Sequence, residues 1–204
     1  MAKLHGNLFI LLLFICTNIA AQPFQIKDLT SLLALAEIDS NKKTERLAAL
    51  YFHDLLNGYR IKEGFAVLSW SDTIWLYNLN HCYWMQTASR LSHGETESNS
   101  YFTGAGMFDR FAFVLGTAKK VMAMAENVLY NFSNSGKNVY QRAERIAKHS
   151  FAQWQKSKGH NRNMLSAKYH KHGIAFLSES NSTKIWSSSA FMSENQAGTR
   201  YPSP

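Results

Sequence analysis

His93, Glu126 and His160 are the side chains of this sequence best suited to chemistry. They stand 33 and 34 positions apart, so no local metal motif joins them and only a fold can bring them together. Neutral imidazoles are good zinc ligands, and two of them with one carboxylate would leave an open position for water. Alternatively, Glu126 would orient a histidine or act as a general base. A carboxylate inside the apolar run 120–130 needs a partner, because an unpaired buried charge is costly. A structural salt bridge meets that need as well as a catalytic role does. Ser92 and Ser157 adjoin the histidine segments, but nothing singles out either as a nucleophile.

The elements that must position these residues follow from periodicity. Val139, Ala143, Ile146, Ala147, Phe151 and Trp154 form the packed face of a helix over 137–156. Gly159 then lets the chain turn and delivers His160, with Asn163 pinning the loop and Leu165 anchoring it. A second helix over 73–91, capped by Ser71 and Asp72, carries the stripe Trp75, Leu79, Cys82 and Met85. His81 falls off that stripe, and a core or surface place suits it better than the cleft. His93 follows this helix in a loop whose polar tract, 95–100, can swing over a site.

Upstream, Leu47, Leu50, Tyr51 and Leu55 predict a helix over 43–57, with Thr44 near its start and Asn57 and Gly58 ending it. Arg60 is placed to reach buried carbonyls. A short helix over 107–116 turns Phe108, Phe111 and Leu115 inward, with Asp109 or Arg110 in a structural pair. The run 120–130 is ambiguous between helix and strand. Two strands, 173–177 and 184–192, flank a hairpin tip at 181–183. Helices first and a hairpin last predict an α+β layered fold rather than a parallel doubly wound sheet.

Composition bounds the remaining choices. With 204 residues, 46% of them hydrophobic, the chain can build one domain with a real core. Lys3 and the apolar run 8–15 followed by Ala20 and Ala21 read as a secretory signal peptide, 1–21, cleaved before Gln22. The run is short for a membrane span, which needs roughly 20 residues, so no transmembrane segment is expected after cleavage. Ile15 before Cys16 is a poor fit for lipidation. Cleavage leaves Cys82 without a disulfide partner, as a small buried residue. The net charge of +8 is scattered apart from two Lys pairs, and a solvated basic face is the simpler reading. No nucleic-acid partner is expected of an exported chain.

Several segments match a known family in order. His53 to Arg60 resembles its first-helix pattern, and Leu79 to Met85 followed by Leu91 to His93 resembles its second helix and first cavity histidine. Phe108 to Arg110, Glu126 with Asn127, and Trp154 with Gly159, His160 and 163–165 continue the pattern, closed by Gly173 and Ile174. Together they resemble the CAP superfamily, or SCP-like extracellular domain, in its bacterial form. Two departures are Ala125 where the family usually has Gly, and Ser157 where eukaryotic members carry a second glutamate.

The resemblance implies a three-layer α-β-α sandwich with a small antiparallel sheet. It divides the chain into an N-terminal extension, 22–44, a CAP domain, 45–192, and a polar tail, 193–204. It also implies a cleft holding His93 and His160, with Glu126 beside them, as the place for zinc or another divalent cation. The expected product is a secreted or periplasmic protein with a binding role toward a metal, a small apolar ligand, a peptide or a cell-envelope component. A metal-assisted hydrolase using the same three residues is the alternative, and the balance leans away from an enzyme.

Overall fold

The computed structural model describes residues 39–116 and 121–194. The expected signal peptide, the segment 22–38, Lys119 and Lys120, the side chain of Leu115 and most of the polar tail lie outside them. The elements run α1 (Ser40–Lys62), β1 (Ser69–Trp70), α2 (Asp72–Thr87), α3 (Met107–Leu115), β2 (Val121–Asn131), α4 (Val139–Lys156), α5 (Lys158–Met164), β3 (Lys171–Ser178) and β4 (Ile185–Glu194).

The four strands form one sheet in the order β1-β3-β4-β2. All pairings are antiparallel except that of the two-residue β1, which lies parallel to β3. The ambiguous run is therefore a strand, and β4 extends past the expected tail boundary to Glu194 opposite Val121. Alternation along the strands sends side chains to two helical layers. On one face Phe176 packs on Phe52 of α1, and Asn131 bonds Ser150 of α4. On the other, Ala190, Met192 and Met124 pack with Ile74 and Tyr77 of α2 and Phe111 of α3.

Each helix has a local cause. Asp39 caps α1 by accepting from the amides of Asn41 and Lys42, a role the sequence assigned to the region of Thr44. The helix also runs through Gly58 to Lys62, because Phe52, Leu56 and Arg60 continue its buried stripe. One interior glycine costs only about 1 kcal/mol against that burial. Arg60 is buried and donates to the carbonyls of Ala66, Met164 and Ser166, as its position suggested.

Helix α2 is capped by Ser71, but its burial is not a stripe. From Ile74 to Met85 every side chain except that of Tyr83 is buried. Its first turn lies on Gly173 of β3, where an added Cβ would come within 2.5 Å of the Trp75 amide nitrogen. Only glycine permits that approach. Asn78, Cys82 and Gln86, one turn apart, then donate to the carbonyls of Gly173, Ala175 and Ser178. Cys82 is thus buried and structural, as expected.

Candidate functional site

The site gathers at β2, the edge strand, from both faces of the sheet. Glu126 points to the α2 side, and the next residue, Asn127, points to the α5 side. Glu126 has its carboxylate buried and fully engaged. Oε1 accepts from the Tyr77 hydroxyl at 2.9 Å, from Arg110 Nη2 at 2.9 Å and from Ser188 Oγ at 3.4 Å. Oε2 accepts from His93 Nδ1 at 3.1 Å. Burial alone would push this carboxyl up, but the His93 hydrogen bond, the charges of Arg110 and His81 and the Tyr77 hydroxyl outweigh it. They hold its pKa at about 2.

The partners of Glu126 come from segments whose roles were less legible. Arg110 does not pair with its neighbour Asp109, whose carboxylate instead accepts from the Gly106 amide at the start of α3. Arg110 turns inward to Glu126 and to Glu95, at 3.7 Å. His81 is completely buried, and both of its ring nitrogens face acceptors: Glu95 Oε1 at 2.8 Å and the Ser92 carbonyl at 2.8 Å. Donating to both acceptors takes two N–H groups, the donor set of an imidazolium. Its Nε2 lies 3.8 Å from Glu126. Two carboxylates thus share Arg110 and the His81 ring inside the domain, and such pairing is what a buried charge demands.

Glu95 also ties down the loop after α2, accepting from the amide and hydroxyl of Thr103. Trp84 Nε1 donates to the Thr96 carbonyl, and Asn80 donates to the Tyr101 carbonyl. The segment expected to swing is therefore pinned along α2, and it holds the His93 backbone under Arg110 Nη2 at 3.0 Å. The signal in the sequence was Tyr77 and His81 one turn apart on a helix with buried neighbours.

His93 keeps 58% of its side-chain surface exposed. Because Nδ1 donates to Glu126, Nε2 is the ring nitrogen not committed to that carboxylate. His160 lies on the other side of the edge, on α5. Gly159 makes no left-handed turn there; residues 158–164 form a short helix instead. Asn127 Nδ2 donates to the His160 carbonyl at 3.2 Å, and Asn163 Nδ2 donates to Asn127 Oδ1 at 2.8 Å, so the Asn pair clamps α5 to β2. Burial lowers the pKa of His160, and the nearby His93 ring lowers it further. Both effects favour the neutral imidazole that a metal or hydrogen-bonding ligand requires.

Among the described residues, no three His, Cys, Asp or Glu side chains converge so as to hold a metal ion. Glu126 is committed to His93 and Arg110, and His160 lies across the β2 edge, near enough to His93 for the two rings to interact electrostatically. A carboxylate held at about 2 is also a weak proton acceptor near neutral pH.

Comparison with known proteins decides the family. The model of the cysteine-rich secretory protein family, CAP, matches residues 53–191, which contain every residue of this cleft. The chain belongs to the CAP family. No curated protein sequence matches it. Among solved structures, the fold resembles an extracellular protein containing an SCP domain from Bacillus anthracis, with a TM-score of 0.54 and 16% identity. That likeness covers 72% of this chain and 41% of the other, so this chain spans less than half of that protein. It also resembles an outer surface protein from Borrelia burgdorferi, with a TM-score of 0.53 and 12% identity, over 70% and 90% of the two chains. At these identities the likeness is one of CAP fold.

Proposed function

We propose that this CAP protein is exported and works as a non-enzymatic binding module of the cell exterior, engaging its ligand through His93 and His160. Glu126 acts as a positioning residue behind His93. The observation that carries the reading is the 3.1 Å bond from His93 Nδ1 to a carboxylate that is buried, ionised and shared with Arg110 and Tyr77. A carboxylate behind a histidine fixes its tautomer and makes the outer nitrogen a better donor to a ligand. A divalent cation such as zinc suits two imidazoles, with water or side chains of a peptide or envelope component completing its shell. No step of hydrolysis is assigned, because the one carboxylate available as a base is already committed to cations. Export is supported by the leader-like residues 1–21. Among the described residues no helix is long and apolar enough to cross a membrane.

Calorimetric zinc titration of the purified protein tests this reading. One cation per chain is expected, with affinity falling at least tenfold in both His93→Ala and His160→Ala. His149→Ala, at an exposed histidine of α4, serves as the comparison. Zinc uptake unchanged in both histidine variants would sink the metal form of the proposal.

A further inference from the structure

A second recess lies between α1 and α4. It encloses about 510 Å³, and Tyr51, Leu55, Tyr59 and Phe151 line it, with Lys62 and Glu144 on the rim. Tyr51, Leu55 and Tyr59 recur every fourth residue of α1, so the recess is a groove along one helical face. Gly58 lies in the same wall, in the body of a helix, where an added Cβ would meet nothing within 4 Å. The domain's own packing therefore does not require a glycine there, although glycine weakens a helix interior. Its absent side chain widens the groove for something that lies against it.

We propose that the occupant is the chain's own segment 24–38, folded back along α1. Its apolar residues Ile26, Leu29, Leu33 and Ala36 fall at helical spacing, with Leu32 and Leu35 beside them. This is more apolar surface than a solvated leader would carry. The segment enters α1 directly at its N-cap, Asp39, whose extended backbone permits a reversal. The reach fits. A helix over 26–38 is about 20 Å long, and Tyr51 lies about 16 Å along α1 from Ser40. A turn at Asp39 thus sets Leu29 beside Tyr51, and Phe24 can extend toward Tyr59. An amphipathic helix in an apolar groove is a common mode of recognition. It would make α1, α4 and this segment a three-helix layer.

The test is a disulfide trap in the full chain carrying Cys16→Ser, so that buried Cys82 is the only native thiol. Leu29→Cys is combined with Tyr51→Cys, or with Met122→Cys on the distant strand β2 as a reference, and oxidised at low protein concentration. The expected product with Tyr51→Cys is a monomer with an internal disulfide, read by non-reducing electrophoresis and peptide mapping. The Met122→Cys pair stays reduced. Adding Gly58→Leu, which the helix accommodates, should cut the trapped fraction by about fivefold or more by filling the groove. Equal trapping at both positions, or none at Tyr51, overturns the proposal. So does a trapped dimer, which would give the groove to a second copy. A yield unchanged by Gly58→Leu overturns it as well.

Discussion

The two faces of the sheet each bury histidines, and they do so by opposite means. On the α2 side, His81 sits between Glu95 and the Ser92 carbonyl, both acceptors, beside the ion pairs that Arg110 makes with Glu95 and Glu126. On the α1 side, His172 of β3 shares a 2.9 Å bond between Nδ1 atoms with His53, and its Nε2 contacts Ser189 Oγ at 2.9 Å. Asn57 fixes the protons there. Its Oδ1 accepts from the Leu68 amide, so its Nδ2 is the group that donates to the Leu68 carbonyl and to His53 Nε2. His53 must then hold its proton on Nδ1 and give it to His172, and both rings are neutral. The chain contains the same residue type in both places. The neighbours decide whether it joins an ionic lattice or forms one link in a chain of neutral donors.

Breaking the ionic side should have the largest effect. Glu126→Ala removes the closest carboxylate of buried Arg110 and leaves Glu95, 3.7 Å away, as its acidic partner, and a loss of roughly 3–5 kcal/mol of unfolding free energy is expected in denaturant titration. A loss under 1 kcal/mol would mean that the lattice is not a unit.

The neutral side should answer first to acid. Burial lowers the pKa of His172 well below its ordinary value, and the nearby His53 ring and Arg60 lower it further. Burial also lowers that of His53, partly opposed by Asp54. Both groups bind protons more readily unfolded, so their contribution is present above about pH 6.5 and is lost as pH falls below it. Glu126 is likewise depressed, from 4.5 to about 2, so its contribution is lost later, as pH falls from 4.5 toward 2. Thermal melts across pH should therefore weaken in two stages. In His172→Phe the stage beginning near pH 6.5 should shrink, and the carboxylate stage should remain. Identical profiles for the two proteins would remove the distinction between the faces.

The smallest stability effect should come from His93→Ala. Its ring is more than half exposed, and Glu126 keeps Arg110, Tyr77 and Ser188. A change of about 1 kcal/mol or less is expected, alongside the loss of cleft binding.

Much of the layered fold was visible in the sequence because it rests on period. The hairpin 171–194 shows as two short runs of apolar and small residues around a polar turn, buried on both faces, and α4 shows a single apolar stripe. The boundary at Gly58 misled because a glycine in a helix is cheap where Phe52, Leu56 and Arg60 continue the buried face. The two-residue β1 has no period to detect. At the site, His93 and Glu126 were expected together, and they bond directly. The rest of the lattice was hidden because buried charges are chosen by partners remote in sequence. Glu95 looked like part of a polar loop, and Arg110 had a nearer acid in Asp109. His81 fell off the apolar stripe that seemed to define α2, yet almost the whole circumference of that helix is covered.

The most direct test of Glu126 as a positioning carboxylate is nitrogen NMR of the His93 ring in the wild-type protein, with Glu126 carboxyl shifts followed in parallel. The account predicts a ring protonated on Nδ1 with Nε2 bare, and on adding zinc a large shift at His93 Nε2 with little movement of the Glu126 carboxylate. A neutral ring protonated on Nε2, or a Glu126 carboxylate that shifts as strongly as a bound ligand, would contradict it.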